Sequence, residues 1–263
     1  MNTLTVPKFS EITESPFTRA TSDQLQILYT RYDLATKHSV GKDVIEVACG
    51  AGVGLGMIAG VGRHVTGGDI DDQNCATALE SYAGRPNIEV RHVDALQLPF
   101  GACSFDVVVL YEALYYLPSA DEFLREARRV LRPGGTLLIS TVNCRWGEFN
   151  PSPFSTRYFD AAELAGILVR QGFDVSLYGG FPEKAGGAGS AVIGAVRKAA
   201  VRLHLIPRTQ KRKEWLKRIF YGELQQIPRE LKPGLVAPAP LDPLEPPYAA
   251  DQFRFIYAVA VLP

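Results

Sequence analysis

Three carboxylates stand where an acidic side chain is costly unless something binds it. Glu46 lies inside the apolar run 43–48 (Asp-Val-Ile-Glu-Val-Ala), Asp69 closes the run 64–69, and Asp94 follows the run 88–93. A charge inside an apolar run must face an ammonium or an ordered backbone amide. Between the first two lies Cys49-Gly50-Ala51-Gly52-Val53-Gly54. Glycine has no Cβ, so such a turn lets backbone approach a ligand closely. Asp69 comes nineteen residues after Gly50, where a carboxylate accepts both hydroxyls of a ribose. The glycines alone are equally a device for packing a helix on a strand; the succession of acids points to a nucleoside.

The elements that would position these groups alternate. Apolar runs at 43–48, 64–69, 88–93, 105–110 and 136–141 read as strands, and the continuous Phe-Asp-Val-Val-Val-Leu of 105–110 suits a strand covered on both faces. Helical spacing of apolar residues follows Gly54 and recurs over 72–83, 119–132 and 160–171, with Gly172 as a stop. Phe173 to Phe181 and Gln252 to Leu262 read as two further strands. The pattern predicts a doubly wound, seven-stranded, mostly parallel α/β sheet with an antiparallel last strand and a helical insertion before it. The expected division is an N-terminal helical cap (1–42), the α/β core (43–182), an insertion (183–251) and the final core strand (252–263). Within the insertion, 190–205 and 209–221 read as helices and the Pro-rich 233–247 as an extended crossing segment.

These residues resemble a known family. Val44-Ile45-Glu46-Val47-Ala48-Cys49-Gly50-Ala51-Gly52 is similar to the first motif of class I S-adenosylmethionine-dependent methyltransferases, and Gly68-Asp69-Ile70-Asp71 to their second. Asp94-Ala95-Leu96-Gln97-Leu98-Pro99-Phe100 with Ser104-Phe105-Asp106-Val107-Val108 resembles the third motif and the strand after it, and Arg128 to Gly135 the turn before the fifth strand. Arg31-Tyr32 and Gly41-Lys42 upstream resemble members from polysaccharide and natural-product pathways. The resemblance implies S-adenosylmethionine as cofactor. Gly50 and Gly52 would carry the turn under its methionine part and Glu46 would order that loop. Asp69 would hold the ribose, Ile70 would pack on the adenine, and Asp94 with the Ala95 amide would meet the adenine edge. Arg31, Ala48 and Tyr111 complete the expected cofactor set. Ala48 departs from the glycine common in the family, and the small alanine leaves the site open. A dinucleotide is disfavoured, because Glu46 would sit close to its pyrophosphate and no second nucleotide half is visible.

A sulfonium methyl is already electrophilic, so alignment of a nucleophile counts for more than a base: positioning is worth roughly 7–11 kcal/mol, a general base about 10²–10⁴-fold. The expected catalytic residues are Glu112, Tyr111 and Tyr115. Glu112 would accept a proton or hold a substrate amine, and the tyrosines would wall the sulfonium, whose charge an aromatic face attracts. Two of these tyrosines read equally as core and Glu112 as a turn cap. Tyr116, Asn143, Trp146 and Tyr158 are the expected substrate residues, the last three from a loop that also contains Glu148 and is alternatively a surface loop fixed by prolines. None of His38, His64, His92 or His204 is compelling as a base.

Composition narrows the partners. Twenty-eight basic residues balance 28 acidic ones, which argues against nucleic acid. Cys49, Cys75, Cys103 and Cys144 show neither disulfide nor metal spacing, no apolar run approaches the length of a membrane span, and no secretory leader is visible, so a cytoplasmic protein without a metal is expected. Residues 197–232 hold eleven Lys or Arg against three Glu. This reads as a solvated face, as a lid for an anionic small-molecule acceptor, or, through Trp215, Leu216, Ile219 and Phe220, as an interfacial helix serving a lipid-linked or quinone-like acceptor. A cofactor-binding module without turnover is the reading from outside enzymology.

Overall fold

A computed structural model describes residues 9–11, 13–183 and 224–263. In chain order the elements are β1 (Arg19–Ala20), α1 (Ser22–Ser39), β2 (Asp43–Val47), α2 (Leu55–Ala59), β3 (His64–Asp69), α3 (Asp72–Tyr82), β4 (Ile88–His92), β5 (Phe105–Tyr111), α4 (Ala120–Val130), β6 (Leu131–Val142), α5 (Ala161–Arg170), β7 (Asp174–Pro182), β8 (Gln225–Gln226), β9 (Leu241–Leu244) and β10 (Phe253–Val261). The main sheet runs β4-β3-β2-β5-β6-β10-β7-β9. The first five strands are parallel; β10 lies antiparallel between β6 and β7, and β9 is antiparallel to β7.

The expected doubly wound architecture is present with one strand more than the seven predicted. The eighth, β9, comes from the Pro-rich stretch read as a crossing segment, and its Pro243 sits opposite Tyr178. Proline lacks an N–H to donate, so it is tolerated on an edge strand and nowhere deeper in a sheet. Residues 190–205 and 209–221, read as helices, lie outside the described residues, as do Trp215 to Phe220 and most of the basic run. The part of 183–251 that is described also forms β8, which pairs with β1.

Two separate cores cover the sheet. On one face Ile45, Val47, Val108, Leu110, Leu137 and Ile139 pack on Phe123, Leu124 and Val130 of α4 and Leu164 and Leu168 of α5. On the other, Val44, Val107, Val109 and Leu138 meet Leu25, Leu28 and Tyr32 of α1, Met57 and Ile58 of α2, and Tyr82 of α3. Adjacent strand positions thus feed opposite layers, as the pleat demands. Helix starts are fixed locally. Thr21 and Gln24 form a reciprocal capping box on α1, Asp160 and Glu163 another on α5, and Asp71 caps α3 through the amides of Gln73 and Asn74. The Pro133-Gly134-Gly135 turn lies inside β6, not after a longer helix: Phe105 faces Leu131 while Val107 faces Thr136, so the residues between loop out of the ladder.

Candidate active site

The strand ends on the carboxyl edge of the sheet surround one cavity of about 830 Å³. At β2 the chain turns through Ala48 (φ 56°), Gly50 (φ 58°) and Gly52 (φ 75°). The glycines of this turn serve different ends. Gly50 lines the cavity, and a Cβ there would lie 2.5 Å from the Thr13 methyl. Gly52 does not line it; its positive φ and the nearby Ala78 and Leu55 fix the turn against α3. Gly54 lies under the Tyr32 ring, with no room for any side chain. Ala48 takes a left-handed backbone that costs an L-residue roughly 1–2 kcal/mol.

Asp69, at the end of β3, is buried and accepts from the Gly50 amide (2.7 Å) and the Asp71 amide (2.9 Å). It therefore locks the glycine turn to the next loop. Ile70 beside it is 44% exposed and lines the cavity, a large apolar side chain left uncovered at the mouth. Asp94 accepts from the Leu96 amide at 2.8 Å, and with Ala95 it forms the cavity wall beyond β4.

Glu46 points from β2 toward α1, where the Tyr32 hydroxyl donates to its Oε1 at 2.7 Å. Its Oε2 is buried without a hydrogen-bond partner. Burial pushes this carboxyl up to about 8; the Tyr32 hydrogen bond and Arg31 pull the other way without prevailing. Arg31 of α1 is buried as well. Its Nη2 donates to Glu14 at 2.6 Å while its Nε has no partner. Burial alone would lower the guanidinium's pKa, but Glu14 and then Glu112 outweigh it and keep the group charged. Tyr111, whose hydroxyl is buried and unpartnered, packs edge-on against Tyr32 at 5.8 Å.

Beyond β5 the cavity changes character. Glu112 adopts φ 52° and its carboxylate accepts from Ser140 Oγ (2.7 Å) and the Tyr115 hydroxyl (3.2 Å). Burial pushes this carboxyl up, against the pull of Arg31. Tyr115 and Tyr116 line the wall with their rings 4.5 Å apart, and Phe9 meets Tyr116 edge-on at 5.7 Å.

Three expected substrate residues do not line the cavity. Asn143 is fully buried, and its side-chain amide donates to the carbonyls of Ala250 and Phe253, which fixes the entry to β10. Trp146 lies beneath the Arg254 guanidinium at 5.2 Å. Tyr158 stacks behind Tyr115 at 4.7 Å, and its hydroxyl accepts from the Ser152 amide. The same loop instead presents Phe154 and Thr156. His38, His64 and His92 do not line the cavity either, and His204 lies outside the described residues.

Sequence reasoning missed Phe9, Thr13 and Glu14, which reach the cavity from a segment strapped across it. Ser10 N donates to Asp71, Asn74 Nδ2 to Thr13 Oγ1, and Arg31 to Glu14. Nothing in that polar stretch signals this role. Tyr32 and Arg254 were missed too; Tyr32, on the apolar face of α1, carried a usable signal.

Comparison with known proteins decides what kind of unit this is. A family model described as "Methyltransferase domain" matches residues 45–139, the segment that carries every strand end from Glu46 to Glu112. Residues 45–139 are thus similar to the domain of class I S-adenosylmethionine-dependent methyltransferases. A relative in Mycolicibacterium smegmatis named a probable S-adenosylmethionine-dependent methyltransferase is 39% identical over 148 residues, 55% of this chain and 56% of that protein. One of the same description from Mycobacterium tuberculosis is 37% identical over 161 residues, 59% of this chain and 57% of that protein. The matched part thus spans just over half of each curated relative. Among solved structures, the [4+2]-cyclase SpnF superposes with a TM-score of 0.60 at 17% identity, covering 97% of this chain and 90% of that one. At that identity the likeness concerns the fold alone. No helix among the described residues is long and apolar enough to cross a membrane.

The cavity residues fit the methionine part of S-adenosylmethionine. The buried, unpartnered Glu46 Oε2 suits an ammonium, and the unpartnered Arg31 Nε suits a carboxylate. Both line the one cavity with Gly50, which has no side chain to fill it.

Proposed function

We propose that the protein transfers the methyl group of S-adenosylmethionine to an oxygen or nitrogen of a small-molecule acceptor by in-line displacement. The observation that carries this reading is the buried Glu46 carboxylate with an unpartnered oxygen, facing the same cavity as Asp69, Asp94 and Glu112. When bound, the cofactor supplies an electrophilic methyl on sulfonium. Glu46 and Arg31 would hold its amino-acid end, Asp69 its ribose and Ile70 its adenine face. Tyr111 and Tyr115 would exclude water and offer ring faces toward the cationic centre. Glu112, its pKa raised by burial, would take the acceptor proton on the oxygen now held by Tyr115. The Ser140 hydrogen bond keeps that carboxylate in place, so proton removal follows from positioning rather than from a histidine.

Calorimetric titration of the full chain with S-adenosylhomocysteine tests the donor half, and one-to-one binding is expected. Transfer of label from methyl-labelled S-adenosylmethionine into a broad pool of small hydroxy and amino compounds tests turnover. Binding without transfer to any pool would favour a module that holds the nucleoside and does no chemistry.

A further inference from the structure

Two cations line the cavity among the described residues, Arg31 and Arg254, and they are engaged differently. Arg31 answers Glu14 and lies within the field of Glu46 and Glu112. Arg254 lies near the start of β10. Its Nη1 donates to Asp23 at 2.7 Å, its guanidinium lies 5.2 Å from the Trp146 ring and 5.7 Å from the Phe255 ring, and its Nε has no partner. Its backbone is held too, since the Arg254 carbonyl accepts from the Asn143 amide at 2.9 Å. An arginine tied at one nitrogen and stacked on aromatic faces is already oriented, and a guanidinium has the planar fork that pairs with a carboxylate.

We propose that Arg254 is a specificity-determining residue that pairs with a carboxylate on the acceptor, and that the acceptor is an aromatic acid. This deepens the methyl-transfer reading and rests on it. The lining that Glu112 and Arg254 share includes the aromatic rings of Tyr115, Tyr116, Phe154 and Phe255. Glu112 follows β5, and β6 separates β5 from β10. By register Glu112 is level with Ile256, two residues from Arg254, so the two backbones are roughly 12 Å apart, the scale of a phenol ring with a short acidic arm. Asp23 is half exposed, so its pairing with Arg254 is screened by solvent and orients the guanidinium without consuming its charge recognition.

The test uses full-length protein saturated with S-adenosylhomocysteine and titrated with 3-(4-hydroxyphenyl)propanoate or its primary amide. The wild type is expected to bind the acid at least about tenfold more tightly than the amide, the cost of one charge-assisted pair. In Arg254→Gln that preference should fall to about twofold or less, while Arg254→Lys, which keeps the charge and loses the fork, should fall between. S-adenosylhomocysteine affinity should stay within about twofold in both variants, which also reports that they fold. Equal binding of acid and amide by the wild type, a preference that survives Arg254→Gln, or no binding of either probe at millimolar concentration would overturn the proposal. Failure of the wild type to bind S-adenosylhomocysteine would instead sink the methyl-transfer reading beneath it.

Discussion

The two halves of the cavity are built by different means. Around β2, β3 and β4 each site carboxylate belongs to a strand or the turn just after it, and Asp69 and Asp94 are oriented by backbone amides no more than a loop away. Beyond β5 the walls come from distant parts of the chain: the strap at Phe9 to Glu14, α1, the loop at Phe154 and Thr156, and β10. The first half thus rests mainly on neighbouring strand ends, and the second on the packing of several layers. A nucleoside common to many enzymes is gripped by local geometry, and the variable partner by long-range assembly.

Substitutions can break this division, and the largest effect is expected at Asp69. Asp69→Ala removes the acceptor for two backbone amides as well as the proposed ribose contact, and S-adenosylhomocysteine binding should weaken by about 100-fold or more in calorimetry. Glu46→Gln should weaken it by roughly 10–100-fold yet raise the melting temperature of the cofactor-free protein. The sign follows from Glu46 holding its proton up to about 8 in the fold: its share of stability is fully present below the usual carboxylate pKa near 4.5 and is lost as pH rises toward 8. Cofactor-free wild type should accordingly lose melting temperature across that window more steeply than Glu46→Gln. Binding has the opposite slope. The ligand's ammonium favours the ionised carboxylate, so affinity should climb by up to about tenfold per pH unit between 6 and 8 and flatten in Glu46→Gln.

Smaller effects sharpen the same contrast. Gly52→Ala puts a Cβ 2.9 Å from Ala78 at a positive φ, and urea unfolding should show a loss of about 1–3 kcal/mol. Tyr115→Phe removes one hydrogen bond to Glu112. It should lower kcat by about tenfold or less and leave S-adenosylhomocysteine affinity alone, which places its effect in the acceptor half. Ala48→Gly relieves a left-handed alanine and should stabilise the fold by about 1 kcal/mol or less, with binding unaltered.

What could be read from the residues follows the same line. The strands, the glycine turn and the acids that close successive strands are local patterns, and the structure gathers Glu46, Gly50, Asp69 and Asp94 as their spacing implies. The eighth strand escaped because a prolyl residue reads against a strand until an edge position is available, and whether an edge is available is a property of the sheet. Asn143, Trp146 and Tyr158 follow a strand's carboxyl end as expected, yet Asn143 turns its amide to the entry of β10 and the rings of Trp146 and Tyr158 back Arg254 and Tyr115. Loop direction depends on what it packs against, and no spacing rule carries it. The strap residues are the extreme case, since the side-chain bonds that tie Thr13 and Glu14 to the rest of the domain come from α3 and α1.

Tyr32 does two jobs with one ring. Its face occupies the space above Gly54 and its hydroxyl grips Glu46. A helix cannot then slide or be repacked for hardiness without retuning the acidity of the donor pocket. Any campaign to toughen this protein through α1 will register its changes first in how tightly the nucleoside is held and only afterwards in how hot the chain must be to melt.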